Sequence, residues 1–384
     1  MVISLSPQNT LSIYFHVPFC KRKCDYCHFY VIPDKEEYKI LLLDGFSKDW
    51  EFWQNQLKGY DLTTIYFGGG TPSLFGPERI AEVLSWINKE FPFKIFNPEI
   101  TLEANPENIT LEMMEAYHNA GINRVSIGVQ SLNNNELTLL TRQHDSQKAI
   151  NAIKSTYNAG IKNISIDLMY DLPSQTVNKW KETLIQVGDL PITHLSLYNL
   201  TIEPHTVFDK YKETIISKIP NDETSLEMYS SAIDIFESYG FKQYEISAFA
   251  KDGKISQHNT GYWTGRPFLG IGPSAFSYWK GERFRNIANI NKYVRKLDAK
   301  LSPVDYRDEL TTSERKRELL VVALRLIDGV DIVEFENTYG KIEKDTNSML
   351  EFLIQNKLLS FKNSRYALTK KGIVLYDYVA SELI

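Results

Sequence analysis

The sequence predicts an α/β fold: a largely parallel sheet, arranged as a partial barrel or an open doubly wound sheet, followed by a small helical, winged-helix-like tail. Three observations predict it. Six short runs rich in β-branched and aromatic residues alternate with helical patterns over residues 12–198, which is the signature of βα units. The pattern dissolves near residue 240 into a stretch rich in glycine and aromatics. A new helix signal then begins near residue 311.

The strand runs are 12–17, 63–67, 99–103, 124–129, 163–168 and 194–198, with helical patterns at 35–57, 77–90, 110–120, 146–159 and 176–187 between them. Six units are two short of a closed eightfold barrel. Residues 243–249 read as one more strand. The pattern therefore gives a core with a mixed α/β extension over 1–295 and a tail over 303–384. In the tail, Thr311 and Glu314 have capping-box spacing, and Leu320, Ala323, Leu324 and Ile327 follow at helical intervals. A second helix at 344–356, a hairpin over 358–368 and a helix capped by Thr369 complete the expected tail.

Composition narrows the function class. The chain has 384 residues, 43% hydrophobic and 24% charged, with 43 Lys/Arg against 48 Asp/Glu. That balance suits a globular chain and gives no basic field for nucleic acid. The tail, with 12 Lys/Arg against 14 Asp/Glu, does not suit phosphate contacts either. No apolar run has the length of a membrane span, and the first residues lack the pattern of a signal peptide. A cytoplasmic protein is expected, with peripheral membrane contact left open.

The chain has three cysteines, Cys20, Cys24 and Cys27, all inside eight residues directly after the first strand run. An odd, tight group is no disulfide framework. Thiolates are soft ligands that suit iron–sulfur clusters or zinc. His28 could complete a Cys3His zinc site, and Cys24-Asp-Tyr-Cys27-His28 also matches the attachment pattern of c-type haem. Further polar groups sit at or after successive strand ends: Gly68-Gly-Gly70-Thr71-Pro72, Glu103, Gln130 and Asp167. In parallel α/β folds that is the edge where ligands bind.

Tyr14-Phe-His-Val-Pro-Phe-Cys20-x3-Cys24-x2-Cys27 resembles the signature of radical S-adenosylmethionine (SAM) enzymes. More narrowly, the chain resembles the oxygen-independent coproporphyrinogen III oxidases and the related HemW-type haem chaperones, with motifs in family order over most of its length. The resemblance implies a partial (β/α)6 radical-SAM barrel with a [4Fe–4S] cluster on Cys20, Cys24 and Cys27 and SAM on the open iron. It implies SAM contacts at Tyr14, Tyr26, Gly70, Thr71, Pro72, Glu103, Gln130, Arg142 and Asp167.

Two features separate the subfamilies. The oxidases carry a fourth cysteine where this chain has Phe29, which argues against porphyrinogen decarboxylation. His258-Asn-Thr-Gly-Tyr262-Trp263 resembles a motif linked to haem in the chaperone group, and imidazole is a common axial ligand to haem iron. The resemblance thus implies a haem chaperone in which His258 is tied to haem, with an acceptor haem protein and a reductant such as flavodoxin or ferredoxin as partners. The alternative it leaves is a coproporphyrinogen oxidase.

Overall fold

The computed structural model describes residues 2–384. Six parallel strands form its centre: β1 (Thr10–Val17), β2 (Asp61–Gly69), β3 (Glu99–Ala104), β4 (Arg124–Gln130), β5 (Asn163–Tyr170) and β6 (His194–Asn199). Their near-continuous apolar runs are buried on both faces, as parallel strands with helical cover require. The cover is α1 (Glu36–Trp53), α2 (Pro77–Glu90), α3 (Leu111–Ala120), α4 (Ser146–Asn158) and α5 (Val177–Gly188). The side chains of Thr110, Asp145 and Thr176 accept N-terminal amides of α3, α4 and α5, so the helix starts are written locally. The partial six-stranded barrel is borne out.

Beyond β6 the chain adds antiparallel strands to both edges. Residues 243–249 are not one strand but two, β7 (Lys242–Glu245) and β8 (Ala248–Ala250), paired with each other. The break has a tertiary cause. Ile246 donates its N–H to the Arg325 carbonyl, and the Ser247 carbonyl accepts from Leu197, so each residue of the turn is drawn to a different neighbour. An additional helix, α6 (Asp222–Ser238), precedes this hairpin, and α7 (Gln257–Trp263) follows it. Strand β9 (Phe268–Ile271) then returns to lie parallel to β1 on its free side. Strands β10 (Phe276–Trp279), β11 (Glu282–Asn286) and β12 (Val304–Asp308) continue antiparallel from it. The order across the sheet is β12-β11-β10-β9-β1-β2-β3-β4-β5-β6-β8-β7. Helix α8 (Ile290–Asp298) lies between β11 and β12 and packs on α1. Residues 304–308 thus hydrogen-bond into the large sheet, inside the stretch that the sequence pattern groups with the tail.

The C-terminal module is α9 (Thr312–Ala323), α10 (Ile332–Tyr339), α11 (Lys344–Gln355) and α12 (Tyr376–Leu383), with a small sheet of β13 (Val330–Asp331), β14 (Leu359–Lys362) and β15 (Arg365–Leu368). The Thr311–Glu314 capping box forms. Helix α9 ends at Ala323, before Ile327, because the Ile327 N–H goes to the Tyr244 carbonyl. The module has its own apolar core around Leu320, Phe335, Leu350, Leu353 and Val379, which Tyr278 of β10 also enters.

Candidate functional site

The cysteine loop leaves β1 at the C-terminal edge of the barrel, where the strand-end residues gather. Cys20, Cys24 and Cys27 are free thiols, each half-buried. The loop is tied down at two points outside itself: the Asp25 N–H donates to Thr141 Oγ1 at 3.1 Å, and the Asp25 carbonyl accepts from Phe208. Burial pushes the Cys20 thiol up to about 11 and raises Cys27, and the other two thiols add to the rise at Cys20. The raised thiols of Cys20 and Cys27 hold their protons until a cation arrives to offset the thiolate charge. Among the described residues, no three His, Cys, Asp or Glu side chains converge closely enough to hold one metal ion.

A chain of polar contacts joins two of these thiols through the strand ends. Cys20 Sγ lies 3.6 Å from Thr71 Oγ1, which accepts from Asn105 Nδ2 at 3.0 Å. Asn105 Oδ1 accepts from Arg142 Nη2 at 2.8 Å, and Arg142 Nη1 reaches Cys24 Sγ at 3.6 Å. Arg142 also donates to the Gly128 carbonyl at 2.7 Å. Burial works against the guanidinium charge, but Tyr26, Cys24 and Glu107 outweigh it and hold its pKa above the ordinary value. Its buried Nε has no partner. Burial raises the Tyr26 phenol beside this cation.

The glycine turn after β2 is shaped by close packing. A Cβ on Gly70 would stand 2.6 Å from the Phe19 carbonyl oxygen, and one on Gly69 would meet the His16 ring. The turn's N–H groups are already committed: Gly69 to Glu103 Oε2, Gly70 to the Val17 carbonyl and Thr71 to the Phe19 carbonyl. The turn therefore does not present these amides to a ligand; they fasten β2 to its neighbours and to the start of the cysteine loop. Pro72 opens a short 3-10 turn behind them.

Glu103 and Asp167 line the interior of the barrel. Glu103 accepts from Tyr66 Oη at 2.7 Å, and burial lifts its carboxyl to about 7, with Asp167 adding to the rise. Burial lifts Asp167 to about 6, against hydrogen bonds from Ser196 and Ser126. Gln130 ends β4 in the left-handed region at φ 67°, after a break in register. Gly128 leaves the space beside Gln130, Asn105 and Arg142. Asn105, Gly128 and Tyr66 were missed by motif reading, although Asn105 carries the same strand-end signal as Glu103.

His258 sits away from the cysteines, on α7. It is 1% exposed and both ring nitrogens are engaged: Nδ1 with Thr64 Oγ1 at 2.7 Å and Nε2 with Tyr262 Oη at 2.9 Å. Burial pulls its pKa down to about 3, so the imidazole is neutral. It lies behind the wall of a large apolar cavity rather than on it. That cavity, about 600 Å³, opens between the cysteine loop, α7, β9–β10 and α9, and its walls include His28, Phe29, Tyr262, Trp263, Arg266 and Phe276. Tyr14 connects this cavity with the barrel interior: it lines the cavity, and its hydroxyl meets His16 Nδ1 at 3.0 Å.

The comparisons agree with this geometry. The family described as the radical SAM superfamily matches residues 14–187, and the HemN C-terminal domain matches 310–375. Heme chaperone HemW of Escherichia coli is 36% identical over 94% of this chain and 95% of its own. That of Lactococcus lactis is 30% identical over 98% of both. A zebrafish (Danio rerio) radical S-adenosyl methionine domain-containing protein 1, mitochondrial, is 32% identical over 97% of this chain and 86% of its own. The solved structure of coproporphyrinogen III oxidase (HemN) from Escherichia coli superposes with a TM-score of 0.84, covering 98% of this chain and 91% of that one at 22% identity. The shared fold, the two matched domains and full-length identity above 30% establish that this chain belongs to the HemW family of radical SAM proteins.

Proposed function

We propose that the chain is a haem chaperone: it binds haem, holds a [4Fe–4S] cluster on Cys20, Cys24 and Cys27, and passes haem to an acceptor protein. The observation that carries this is a porphyrin-sized apolar cavity beside the cysteine loop, in a chain whose full-length relatives are named haem chaperones. The three-thiol donor set fits a cluster: sulfur is the only ligand type supplied, and Arg142 and Thr71 stand against two of the sulfurs to offset their charge. Such a cluster supplies one-electron chemistry and an open iron for the amino-acid end of SAM.

Around it, the chain's own residues divide the work. Glu103 and Asp167 offer carboxylates to a cationic ligand, Arg142 ties the loop to the ends of β3 and β4 through Asn105 and Gly128, and Tyr26, Gly70, Thr71, Pro72, Gln130 and Tyr14 shape the walls. His258 bears on haem through Tyr262, whose hydroxyl it holds. The compartment that goes with this reading is the cytoplasm, where a haem protein acceptor and a small electron carrier would meet it; separately, no helix among the described residues is long and apolar enough to cross a membrane. The reductant is a small electron carrier such as flavodoxin or ferredoxin.

The test uses anaerobically reconstituted protein with SAM and a reductant. Haem titrated into it binds, while coproporphyrinogen III is not turned over. Turnover of the porphyrinogen would replace this reading with an oxidase.

A further inference from the structure

Resting on the reading of haem as cargo, we propose that haem is seated in the cavity between the cysteine loop and the C-terminal module, with His28 as its axial ligand. Two histidines lie on the cavity wall, His16 and His28. His16 is buried and spends its ring nitrogens on Tyr14 Oη at 3.0 Å and the Tyr30 carbonyl at 3.3 Å. His28 is exposed, and its ring makes no hydrogen bond among the described residues. His258 is not on the wall, and binding iron there would first break two buried hydrogen bonds. An uncommitted imidazole is what ferric or ferrous haem iron binds.

The rest of the wall fits the remainder of the molecule. Phe29 and Phe276 face the cavity and are 53% and 49% exposed. Such rings are covered by a flat apolar ligand at a gain of about 25 cal/mol per Å² of area removed from water. Arg266 is the cation for a propionate. It forms no ion pair among the described residues, its buried Nε has no partner, and its bonds go only to neutral oxygens of Gln257 and Ser12. Arg283, the other guanidinium on the wall, is already paired with Asp308 and Glu318. The volume of about 600 Å³ lies within the range of small-molecule sites.

This seating has a consequence for redox chemistry. His28 follows Cys27 directly in the chain, so the residue assigned to the haem iron and a cluster ligand are neighbours joined by one peptide link. A cluster on these cysteines, reduced by the electron carrier, would be placed to pass one electron to ferric haem at His28, the cluster being oxidised as Fe(III) becomes Fe(II), with no bond made or broken in the porphyrin.

The experiment compares ferric haem with iron-free protoporphyrin IX on cluster-loaded wild type, His28→Ala, His258→Ala and Arg266→Gln. His28→Ala is expected to change the Soret spectrum and weaken haem binding at least about tenfold, with protoporphyrin affinity unchanged because that ligand has no iron. Arg266→Gln is expected to weaken both porphyrins with the spectrum intact, and wild type to weaken likewise towards haem dimethyl ester. His258→Ala is expected to keep the ligand spectrum. An unchanged haem spectrum in His28→Ala, or its loss in His258→Ala alone, overturns the assignment. Failure of the wild type to bind either porphyrin would instead remove the chaperone reading beneath it.

Discussion

At the residue scale, the chemistry of the site is governed by carboxyls and thiols held partly out of water. Glu103, ordinarily near 4.5, is lifted to about 7, and Asp167, ordinarily 3.8, to about 6. A raised acid binds its proton more tightly in the folded state. Their contribution to stability is therefore complete below their ordinary values and is lost as pH rises through about 6 and about 7. A cationic ligand reverses the preference, because it needs the carboxylates ionised. SAM is accordingly expected to bind cluster-loaded protein more tightly at about pH 8 than at about pH 6, with proton release from the site on binding suppressed at the higher value. Calorimetric titration at both values checks this. In Glu103→Gln most of the pH difference disappears; an undiminished difference would assign the linkage elsewhere.

At the element scale, the fold places its functional groups by tying strand ends together. The turn after β2 is fastened at the start of the cysteine loop by backbone bonds: Thr71 donates to the Phe19 carbonyl at 2.7 Å and Gly70 to Val17 at 2.9 Å. There is no room for a side chain, since a Cβ on Gly70 meets that same Phe19 carbonyl at 2.6 Å. Gly70→Ala is expected to cost about 1–3 kcal/mol, the range for overpacking, and to lower the iron and sulfide retained after reconstitution. Thermal unfolding and iron analysis read the two effects. Gly128 serves the same purpose at β4, where a side chain would crowd Asn105, Gln130 and Arg142.

At the scale of the whole molecule, the C-terminal module closes the cavity. It is clamped by the Arg325–Glu245 ion pair at 3.2 Å, by Arg325 over the Trp263 ring at 4.4 Å, and by Arg315 Nε donating to Tyr278 Oη at 2.8 Å. Gly265 sits in this joint at φ 71°, with a would-be Cβ 2.3 Å from Tyr339 Oη. Gly265→Val is expected to loosen the module: limited proteolysis should cut near residue 310 faster, and haem affinity should fall while the cluster is retained. Resistance equal to wild type would show that the joint does not depend on this contact. The seam also explains why α7 carries both a buried histidine and two wall residues. One face of the helix packs on β2 and the other looks into the cavity.

The sequence by itself determined the six parallel βα units, the helix caps, the tail helices with their hairpin, and the three-cysteine loop. These follow from local periodicity, capping and spacing, which need no partner distant in the chain. The family was legible too, because its motifs are short and fall at strand ends. Only the tertiary structure decided the rest. It split residues 243–249 between two neighbours, brought Asn105 between Thr71 and Arg142, and committed the amides of the glycine turn to internal bonds. It also buried His258 behind Tyr262 while leaving His28 free on the cavity wall. The physical reason is the same in each case: a polar group's availability depends on which partners from elsewhere in the chain satisfy it, and that is set by packing rather than by its own position in the sequence.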